Sequence, residues 1–341
     1  MSAADASASR PDRFERGDTY AALDLGTNNC RLLVARGNGR QAEASFRVID
    51  AFSRIVRLGE GLAASGRLAE PAMARTIDAL KICAGKVALH RVAGARYIAT
   101  EACRRAANCG EFMSRVARET GIVLEIISAE EEARLVVAGC APLLDGTRPY
   151  AIVFDIGGGS TELVWLRLGE ESGEPQILDS FSLPQGVVTL CDRYGGREVP
   201  AATYEAMVEE IHAALAALEA RHHIAGRIAE GAVQMLGSSG TVTTLAAVHL
   251  GLPRYIRSRV DGVRVSFNDL RRASRLLASE NHDARVRRAC IGPERADLVL
   301  AGCAILEAIC LLWPVGSLRV ADRGIREGIL SGLIGRCAGA P

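Results

Sequence analysis

Two short segments of the chain combine a carboxylate with a run of small residues. Asp24 and Leu25 lead into Gly26, Thr27, Asn28 and Asn29, and Asp155 and Ile156 lead into Gly157, Gly158, Gly159, Ser160 and Thr161. Glycine allows the backbone to approach an anion closely and to turn successive N–H groups toward it. Aspartate supplies the hard oxygen ligands that Mg²⁺ and Mn²⁺ prefer. The two segments therefore predict a site for phosphate and a divalent cation, with Asp24 and Asp155 as metal ligands.

Apolar runs of β type flank both segments. Tyr20–Leu23 and Leu32–Ala35 enclose the first segment, and 151–154 and 163–166 enclose the second. Each pair of runs predicts a β-hairpin whose loop carries the small residues. The two aspartates are roughly 130 residues apart, about the length of one domain. This spacing indicates a duplicated fold that holds a phosphate chain from both sides.

Two further segments lie where a strand meets a helix. One follows a strand at 233–236 and comprises Gly237, Ser238, Ser239, Gly240 and Thr241. The N–H groups at the start of the next helix favour an anion, although a plain N-cap by Ser239 or Thr241 explains the same residues. The other segment, Glu130–Glu132, begins a helix after a strand near 123–127. Acidic residues in a first helical turn usually serve the helix dipole, so their position alone does not indicate catalysis.

Composition and charge are those of an ordinary globular protein. The 341 residues suffice for two domains, with 49% hydrophobic and 24% charged residues. A net charge of +1 argues against a general nucleic-acid binder. All but two of the 41 basic Lys and Arg residues are arginines. Arginine suits phosphate oxygens, but a GC-rich coding sequence gives the same bias. Ten of these arginines lie in 254–288, together with four acidic residues. This stretch has two interpretations, a track that binds a long polyanion or the solvated face of a helix.

The remaining features of the sequence bear on the cellular location of the protein and on the order of its strands and helices. The ten cysteines form no C-x-x-C pair, so we expect buried thiols in a reducing compartment rather than a zinc site. Residues 1–18 lack the apolar segment of a signal peptide, and no apolar stretch approaches the about 18 residues of a membrane span. We therefore expect a disordered arm over 1–18, a cytoplasmic protein and no membrane partner. Hydrophobic periodicity predicts three strands and then alternating helices and strands, twice over, with late helices at 294–312 and 323–337.

Three additional segments narrow the assignment: 100–106, 126–134 and 322–328. Together with the hairpins and the 237–241 turn, they resemble the exopolyphosphatase and guanosine pentaphosphate phosphohydrolase (Ppx/GppA) family of the actin, heat-shock chaperone and sugar-kinase superfamily. The resemblance runs from about residue 19 to 336. It implies an α/β fold of duplicated ribonuclease H-like (actin-like ATPase) domains with an interdomain cleft. Domain I would span 19–134 and domain II 135–321, with the C-terminal helix, about 322–341, packing back onto domain I. The chain resembles a short two-domain form, because longer members continue into helical C-terminal domains.

The resemblance also implies roles for single residues. It places the general base on Glu132, with Glu131 next to it. Glu162, seven residues after Asp155, is a second carboxylate candidate that would orient water or the metal. Arg31 and Arg104 resemble family positions that face substrate phosphates. Arg295 resembles a recurring arginine of the family and is a further candidate phosphate ligand.

The implied activity is Mg²⁺- or Mn²⁺-dependent release of orthophosphate from the end of inorganic polyphosphate. A close variant hydrolyses the 5′-terminal phosphate of guanosine pentaphosphate, and the sequence does not decide between them. A nucleotide-dependent kinase or actin-like ATPase would not normally carry 100–106 and 130–134 as they stand here. A non-catalytic regulator that binds polyphosphate or the alarmone would have lost the base, whereas Glu132 is present. A homodimer is left open.

Overall fold

The structure is a computed structural model that describes residues 17–37, 46–169 and 175–338. The disordered arm expected over 1–18 therefore lies outside the described residues, apart from its last two positions. Within the described ranges, no helix combines the length and apolar character that a membrane crossing requires.

The first half of the chain builds a five-stranded sheet in the order β3-β2-β1-β4-β5. Its strands are β1 (Thr19–Leu25), β2 (Asn29–Gly37), β3 (Phe46–Ile55), β4 (Gly94–Ala99) and β5 (Glu125–Ile126). The first three strands are antiparallel, while β4 runs parallel to β1 and β5 parallel to β4. The helices of this half are α1 (Leu62–Ser65), α2 (Glu70–Leu89), α3 (Glu101–Arg105), α4 (Cys109–Thr120) and α5 (Ala129–Cys140).

The second half builds a six-stranded sheet in the order β10-β11-β9-β6-β7-β8. Its strands are β6 (Tyr150–Ile156), β7 (Thr161–Arg167), β8 (Gln176–Leu183), β9 (Val233–Ser238), β10 (Arg264–Ser266) and β11 (Ser317–Ala321). Its helices are α6 (Val187–Tyr194), α7 (Ala201–His222), α8 (Ile224–Ala229), α9 (Gly240–His249), α10 (Arg257–Val260), α11 (Phe267–Ser279), α12 (His282–Arg287), α13 (Val299–Leu312) and α14 (Ile325–Ala338).

The two sheets share the order of five strands, and the second sheet adds the edge strand β10, which is antiparallel to β11. In each, three antiparallel strands are followed by strands that run parallel to the first, β4 and β5 in one sheet and β9 and β11 in the other. The central strands β1 and β6 are covered on both faces, which explains their nearly continuous apolar sequence. Each sheet has its own hydrophobic core. The expected duplicated α/β fold is confirmed.

Helices α5 and α14 exchange sheets. The first follows β5 but packs on β7 and β8, and the second follows β11 but packs on β1, β2 and β4. The two helices also pack on each other so closely that a Cβ atom at Gly139 would lie 1.9 Å from the carbonyl oxygen of Gly324. Because α5 runs unbroken through residue 134, the boundary expected at 134/135 falls inside a helix that connects the two domains.

Some helices begin at residues other than those that the hydrophobic periodicity predicts. The helix expected from 294 begins at Val299, because 293–298 form turns, which place Arg295 at the cleft. The last helix begins at Ile325 rather than at 323. Short helices such as α3 and α12 contain too few apolar repeats to give a periodic signal.

Candidate active site

The two hairpin loops meet at the floor of a cleft between the sheets. The cleft, counted together with the solvent at its open mouth, has a volume of about 910 Å³. A Cβ atom at Gly158 would lie 2.9 Å from the Cβ of Asn28, and one at Gly159 would lie 2.5 Å from Thr27 Oγ1. Glycine is therefore required at both positions for the loops to touch.

The loop between β1 and β2, residues 26–28, turns the carbonyl groups of Thr27 and Asn28 away from the cleft. The N–H groups of Val56 and Arg57 donate to the carbonyl oxygen of Asn28 at 2.8 and 3.0 Å, and Gly59 N–H donates to the carbonyl oxygen of Thr27 at 2.9 Å. Within the described ranges, the N–H groups of Thr27 and Asn28 keep no protein partner. These donors remain for an anion in the cleft.

The loop of domain II has the same support. The N–H groups of Val187 and Val188, at the start of α6, donate to the carbonyl oxygens of Gly157 and Gly158 at 3.0 and 2.8 Å. In both domains, therefore, the segment that follows the third strand holds the loop carbonyls away from the ligand. The sequence duplication extends to this second layer of contacts.

Buried polar atoms of the first loop lack partners. Thr27 Oγ1, Asn28 Oδ1 and Asn29 Oδ1 are buried without a hydrogen bond in the structure. An unsatisfied buried polar group costs about 1–3 kcal/mol. Such a concentration of them indicates a loop that is completed by a polar ligand.

Asp24 and Asp155 open onto the cleft from the ends of β1 and β6. Enclosure by protein raises the pKa of Asp155 to about 6, against the opposing effect of Arg31. Burial also raises the pKa of Asp24, again opposed by Arg31. Both carboxylates therefore lack enough positive charge in the protein alone.

These two carboxylates fit a hydrated Mg²⁺ or Mn²⁺ ion. Among the described residues, no three Asp, Glu, His or Cys side chains cluster closely enough to bind a metal alone. Mg²⁺ does not require such a cage, since it commonly binds through one or two carboxylates, waters and substrate phosphates. The donor set thus suits a cation that is completed by a phosphate chain.

Glu132 is held by an arginine. It lies in the first turn of α5, is 6% exposed and lines the cleft. Arg104 Nη1 donates to Glu132 Oε2 at 2.7 Å and to the carbonyl oxygen of Ile127 at 3.0 Å. Burial and the nearby Glu162 raise the pKa of Glu132 well above its usual range, while Arg104 lowers it. A raised pKa makes this carboxylate a stronger proton acceptor than an exposed glutamate.

Glu162 also lines the cleft. It lies opposite Asp155 in the β6–β7 hairpin and accepts hydrogen bonds from Ser160 Oγ at 2.6 Å and Ser182 Oγ at 3.1 Å. Burial raises its pKa to about 7. The two serines leave it as a fixed acceptor at the cleft.

The third predicted loop adds a helix N-terminus. Ser239 caps α9 by accepting from Val242 N–H at 3.1 Å. Its φ of 144° lies in a region that side chains rarely adopt, and such strain concentrates at functional sites. A Cβ atom at Gly240 would lie 3.9 Å from Arg295 Nη1 and 4.0 Å from Arg31 Nη2. The helix N-terminus and both guanidinium groups thus face the same region of the cleft.

Most of the sequence-predicted residues line the cleft. Those brought together there are Asp24, Gly26, Thr27, Asn28, Asn29, Arg31, Glu132, Asp155, Gly157, Gly158, Gly159, Ser160, Glu162, Ser239, Gly240, Thr241 and Arg295.

Two expected catalytic or phosphate-facing side chains are engaged elsewhere. Glu131 lies outside the cleft, where its carboxylate accepts from Arg96 at 2.9 Å. Adjacent residues on a helix point in different directions, so Glu131 and Glu132 do not share a site. Arg104 does not line the cleft, because Glu101 and Glu132 occupy its guanidinium group.

Three expected phosphate ligands also point away from the cleft. Thr161 Oγ1 donates to the carbonyl oxygen of Gln185 at 2.8 Å. Gly237 packs on Phe154, whose ring would lie 2.6 Å from an added Cβ atom. Ser238 Oγ donates to the carbonyl oxygen of Arg323 at 3.0 Å and faces a neighbouring cavity. These contacts come from packing between elements distant in sequence.

Sequence reasoning missed Thr100 and Glu101, which line the cleft. It also missed Arg326, which lines the neighbouring cavity. All three lie in segments that carried the family resemblance, 100–106 and 322–328, but no local pattern separated them from their neighbours.

The chain matches a family model and several known proteins. The Ppx/GppA phosphatase family model matches residues 37–336. The chain is 31% identical over 326 residues to exopolyphosphatase 2 of Mycobacterium tuberculosis, covering 92% of this chain and 98% of that protein. It is 32% identical over 322 residues to the guanosine-5′-triphosphate,3′-diphosphate pyrophosphatase of Aeromonas salmonicida, covering 93% of this chain and 59% of that protein.

Two solved structures share the fold of this chain. A Ppx/GppA family member from Aquifex aeolicus superimposes with a TM-score of 0.76 at 27% identity, covering 95% of this chain and 99% of that one. An exopolyphosphatase from Cytophaga hutchinsonii, at 24% identity, shares the fold with a TM-score of 0.82 and covers 93% of this chain and 98% of that one. The chain therefore belongs to the Ppx/GppA phosphatase family.

Proposed function

We propose that the chain is an exopolyphosphatase, which hydrolyses the terminal phosphoanhydride bond of inorganic polyphosphate and releases orthophosphate. The observation that carries the proposal is the placement of Glu132, a buried carboxylate in the wall of a cleft whose floor is formed by the two phosphate loops. The name of the Mycobacterium tuberculosis relative supports the same substrate.

In this proposal, each group of residues in the cleft has its own role in hydrolysis. The backbone N–H groups of the two loops, with Arg31 and Arg295, bind the oxygens of the terminal phosphate. Glu132 accepts a proton from a water molecule as the water oxygen bonds to the terminal phosphorus. The bridging P–O bond breaks, and the shortened chain leaves with the bridging oxygen. Arg104 acts through Glu132 as a positioning residue.

A bound Mg²⁺ or Mn²⁺ ion would supply positive charge that neutralises the phosphate oxygens during bond cleavage. Asp24 and Asp155 would hold it, with Glu162 within the same wall. We propose this requirement from the chemistry of the donor set.

Guanosine pentaphosphate is the second candidate substrate, because the Aeromonas salmonicida relative is named for it. The same loops and base would remove its 5′-terminal phosphate. Cytoplasmic location and a homodimer stay predictions from the sequence.

Phosphate release tests the proposal with long polyphosphate, short polyphosphate, guanosine pentaphosphate and ATP as separate substrates. We expect the highest kcat/KM with polyphosphate, and a background rate for the Glu132→Gln variant. A preference for guanosine pentaphosphate would reassign the substrate, and a preference for ATP would reassign the chain to the nucleotide hydrolases. Binding of polyphosphate without release from any substrate would indicate the regulator.

A further inference from the structure

The segment that follows β3, residues 56–61, holds the loop between β1 and β2 in place. Backbone N–H groups of this segment donate to the carbonyl oxygens of Thr27 and Asn28 at 2.8 to 3.0 Å. These bonds turn the two carbonyl groups away from the cleft and leave the N–H groups of the loop available to a phosphate. A displacement of 56–61 would therefore displace those donors as well.

The same segment also contacts domain II. Arg57 Nη2 donates to Asp297 Oδ2 at 3.5 Å, across 240 residues of sequence. Burial raises the pKa of Asp192 in α6, whereas Gly61 N–H, which donates to that carboxylate, and the nearby Arg57 lower it. The guanidinium group of Arg57 thus faces two carboxylates of domain II, and the backbone of its segment adds a further bond to the same domain.

Asp297 is held in place within domain II. His282 Nε2 lies 2.6 Å from Asp297 Oδ1, the carboxylate oxygen that Arg57 does not use. Cys191 Sγ donates to the carbonyl oxygen of Asp297 at 3.1 Å. Asp297 shares the turns at 293–298 with Arg295, which lines the cleft. The carboxylate is therefore fixed two residues from a proposed phosphate ligand.

The backbone of Arg57 indicates that its side chain has a role. Its φ of 48° lies in the left-handed region, where glycine fits more easily than a residue with a Cβ atom. Residues held in such conformations cluster at functional sites. The side chains of Arg57 and Asp297 are 38% and 30% exposed, and partly exposed ion pairs contribute little to the stability of a fold. Positioning explains this pair better than stability does.

We propose that Arg57 and Asp297 position the loop between β1 and β2 relative to domain II, and that this pair thereby sets the affinity of the cleft for a phosphate group. The inference rests on the proposed function, in which donors from both domains bind one phosphate. Arg57 is a positioning residue, because it acts through 56–61 on the N–H groups of the loop. Domain II carries the second loop and Arg295, so the ion pair fixes the spacing between the two sets of donors.

Arg91 provides a matched control for Arg57. It has the same φ of 48°, and it is exposed two residues beyond the end of α2. Arg91→Gln therefore reproduces the loss of an arginine from a left-handed backbone position without changing the contact between the domains.

Calorimetry with orthophosphate in Mg²⁺ and phosphate release from polyphosphate test the proposal, with Tm measured for every variant. We expect Arg57→Gln and Asp297→Asn each to raise the Kd of orthophosphate and to lower kcat/KM by about two- to fivefold. The double variant should lose no more than either single variant, because both changes remove one interaction.

Two further variants separate positioning from stability. Arg57→Lys keeps the positive charge and should retain most of the affinity. Arg57→Gly relieves the left-handed backbone and should keep a Tm close to that of the wild type, while it loses as much affinity as Arg57→Gln. Arg91→Gln should match the wild type in every measurement.

Four results would overturn the proposal. The first is an unchanged Kd and kcat/KM in Arg57→Gln. The second is a double variant whose loss is the product of the two single losses, since the residues would then act independently. The third is an equal loss in Arg91→Gln. The fourth is a loss in Arg57→Gly and Arg57→Gln that accompanies a lower Tm in both, which would make Arg57 structural.

The same measurements separate this inference from the proposed function. If the wild-type protein released no phosphate from any substrate while the Kd of orthophosphate still depended on Arg57 and Asp297, the proposed function would fail and the role of the pair would stand. If polyphosphate were hydrolysed equally well by the wild type and both variants, the function would stand and the role of the pair would fail.

Discussion

Arg104 and Glu132 form an ion pair at the edge of the cleft, with Nη1 and Oε2 2.7 Å apart. Arg104 comes from α3 and Glu132 from α5, and both side chains are largely buried. The bond fixes the direction of the carboxylate. The positive charge of Arg104 also lowers the pKa of Glu132, whereas burial raises it.

Removal of Arg104 should shift the pH dependence of hydrolysis. Because Arg104 lowers the pKa of Glu132, Arg104→Gln should raise that pKa further. Glu132 is then deprotonated only at higher pH, so we expect the acidic limb of the kcat–pH profile to move to higher pH. A kcat–pH profile measures this. An unshifted limb with a raised KM would instead place Arg104 on the substrate.

Glu132→Gln should lose most hydrolysis while keeping the fold. The amide preserves the size of the side chain but accepts no proton, and loss of a general base costs on the order of 10²–10⁴-fold in kcat. Glu131→Gln is the matched control, since that carboxylate pairs with Arg96 outside the cleft. Near-normal turnover in Glu132→Gln would transfer the base role to another carboxylate such as Glu162.

Glu162→Gln should stabilise the free protein at neutral pH. Burial raises the pKa of Glu162 from 4.5 to about 7. The folded state therefore binds more protons than the unfolded state between these values, and stability falls as pH rises through this window. We expect Glu162→Gln to gain on the order of 1–3 kcal/mol at pH 8 and nothing near pH 4.5.

Urea unfolding in EDTA at both pH values measures the difference. Glu130→Gln is the control, because that side chain is exposed. If Glu162→Gln raised the free energy of unfolding equally at both pH values, the charge of Glu162 would not be the cause of the stabilisation.

Chelation should stop hydrolysis, and added Mg²⁺ or Mn²⁺ should restore it. Asp155→Asn removes one proposed ligand charge, so we expect the Mg²⁺ concentration for half-maximal rate to rise on the order of tenfold or more. Asp78→Asn, exposed on α2, should leave it unchanged. Full activity after thorough chelation would remove the metal from the mechanism.

Gly159→Ala should separate the two phosphate loops. Its Cβ atom would lie 2.5 Å from Thr27 Oγ1, too close for both loops to keep their positions. Displacement of bound phosphate by a fraction of an ångström should lower kcat/KM on the order of 10- to 100-fold. Gly146→Ala is the control, since no atom of the described residues beyond its two chain neighbours lies within 4 Å of the added Cβ. Unchanged kcat/KM would mean that the loops adapt without loss.

The amino-acid sequence by itself determined the duplicated strand order and both glycine-rich hairpin loops. These follow from local signals, because apolar runs around glycine-rich turns specify hairpins over a few residues. It also carried the family resemblance that singled out Glu132. The exchange of α5 and α14 between the sheets has no such signal, since it depends on packing between helices almost 200 residues apart.

Tertiary structure alone decided what each charged side chain does. Neighbours in sequence separate in space: Glu132 enters the cleft while Glu131 pairs with Arg96. Arg104, expected at a phosphate, binds Glu132 instead, and Arg326, which no local pattern singled out, lines a second cavity. The reason is physical. The partner of a long side chain depends on which distant carboxylate the packed elements bring within hydrogen-bond distance, and local periodicity carries no information on that distance.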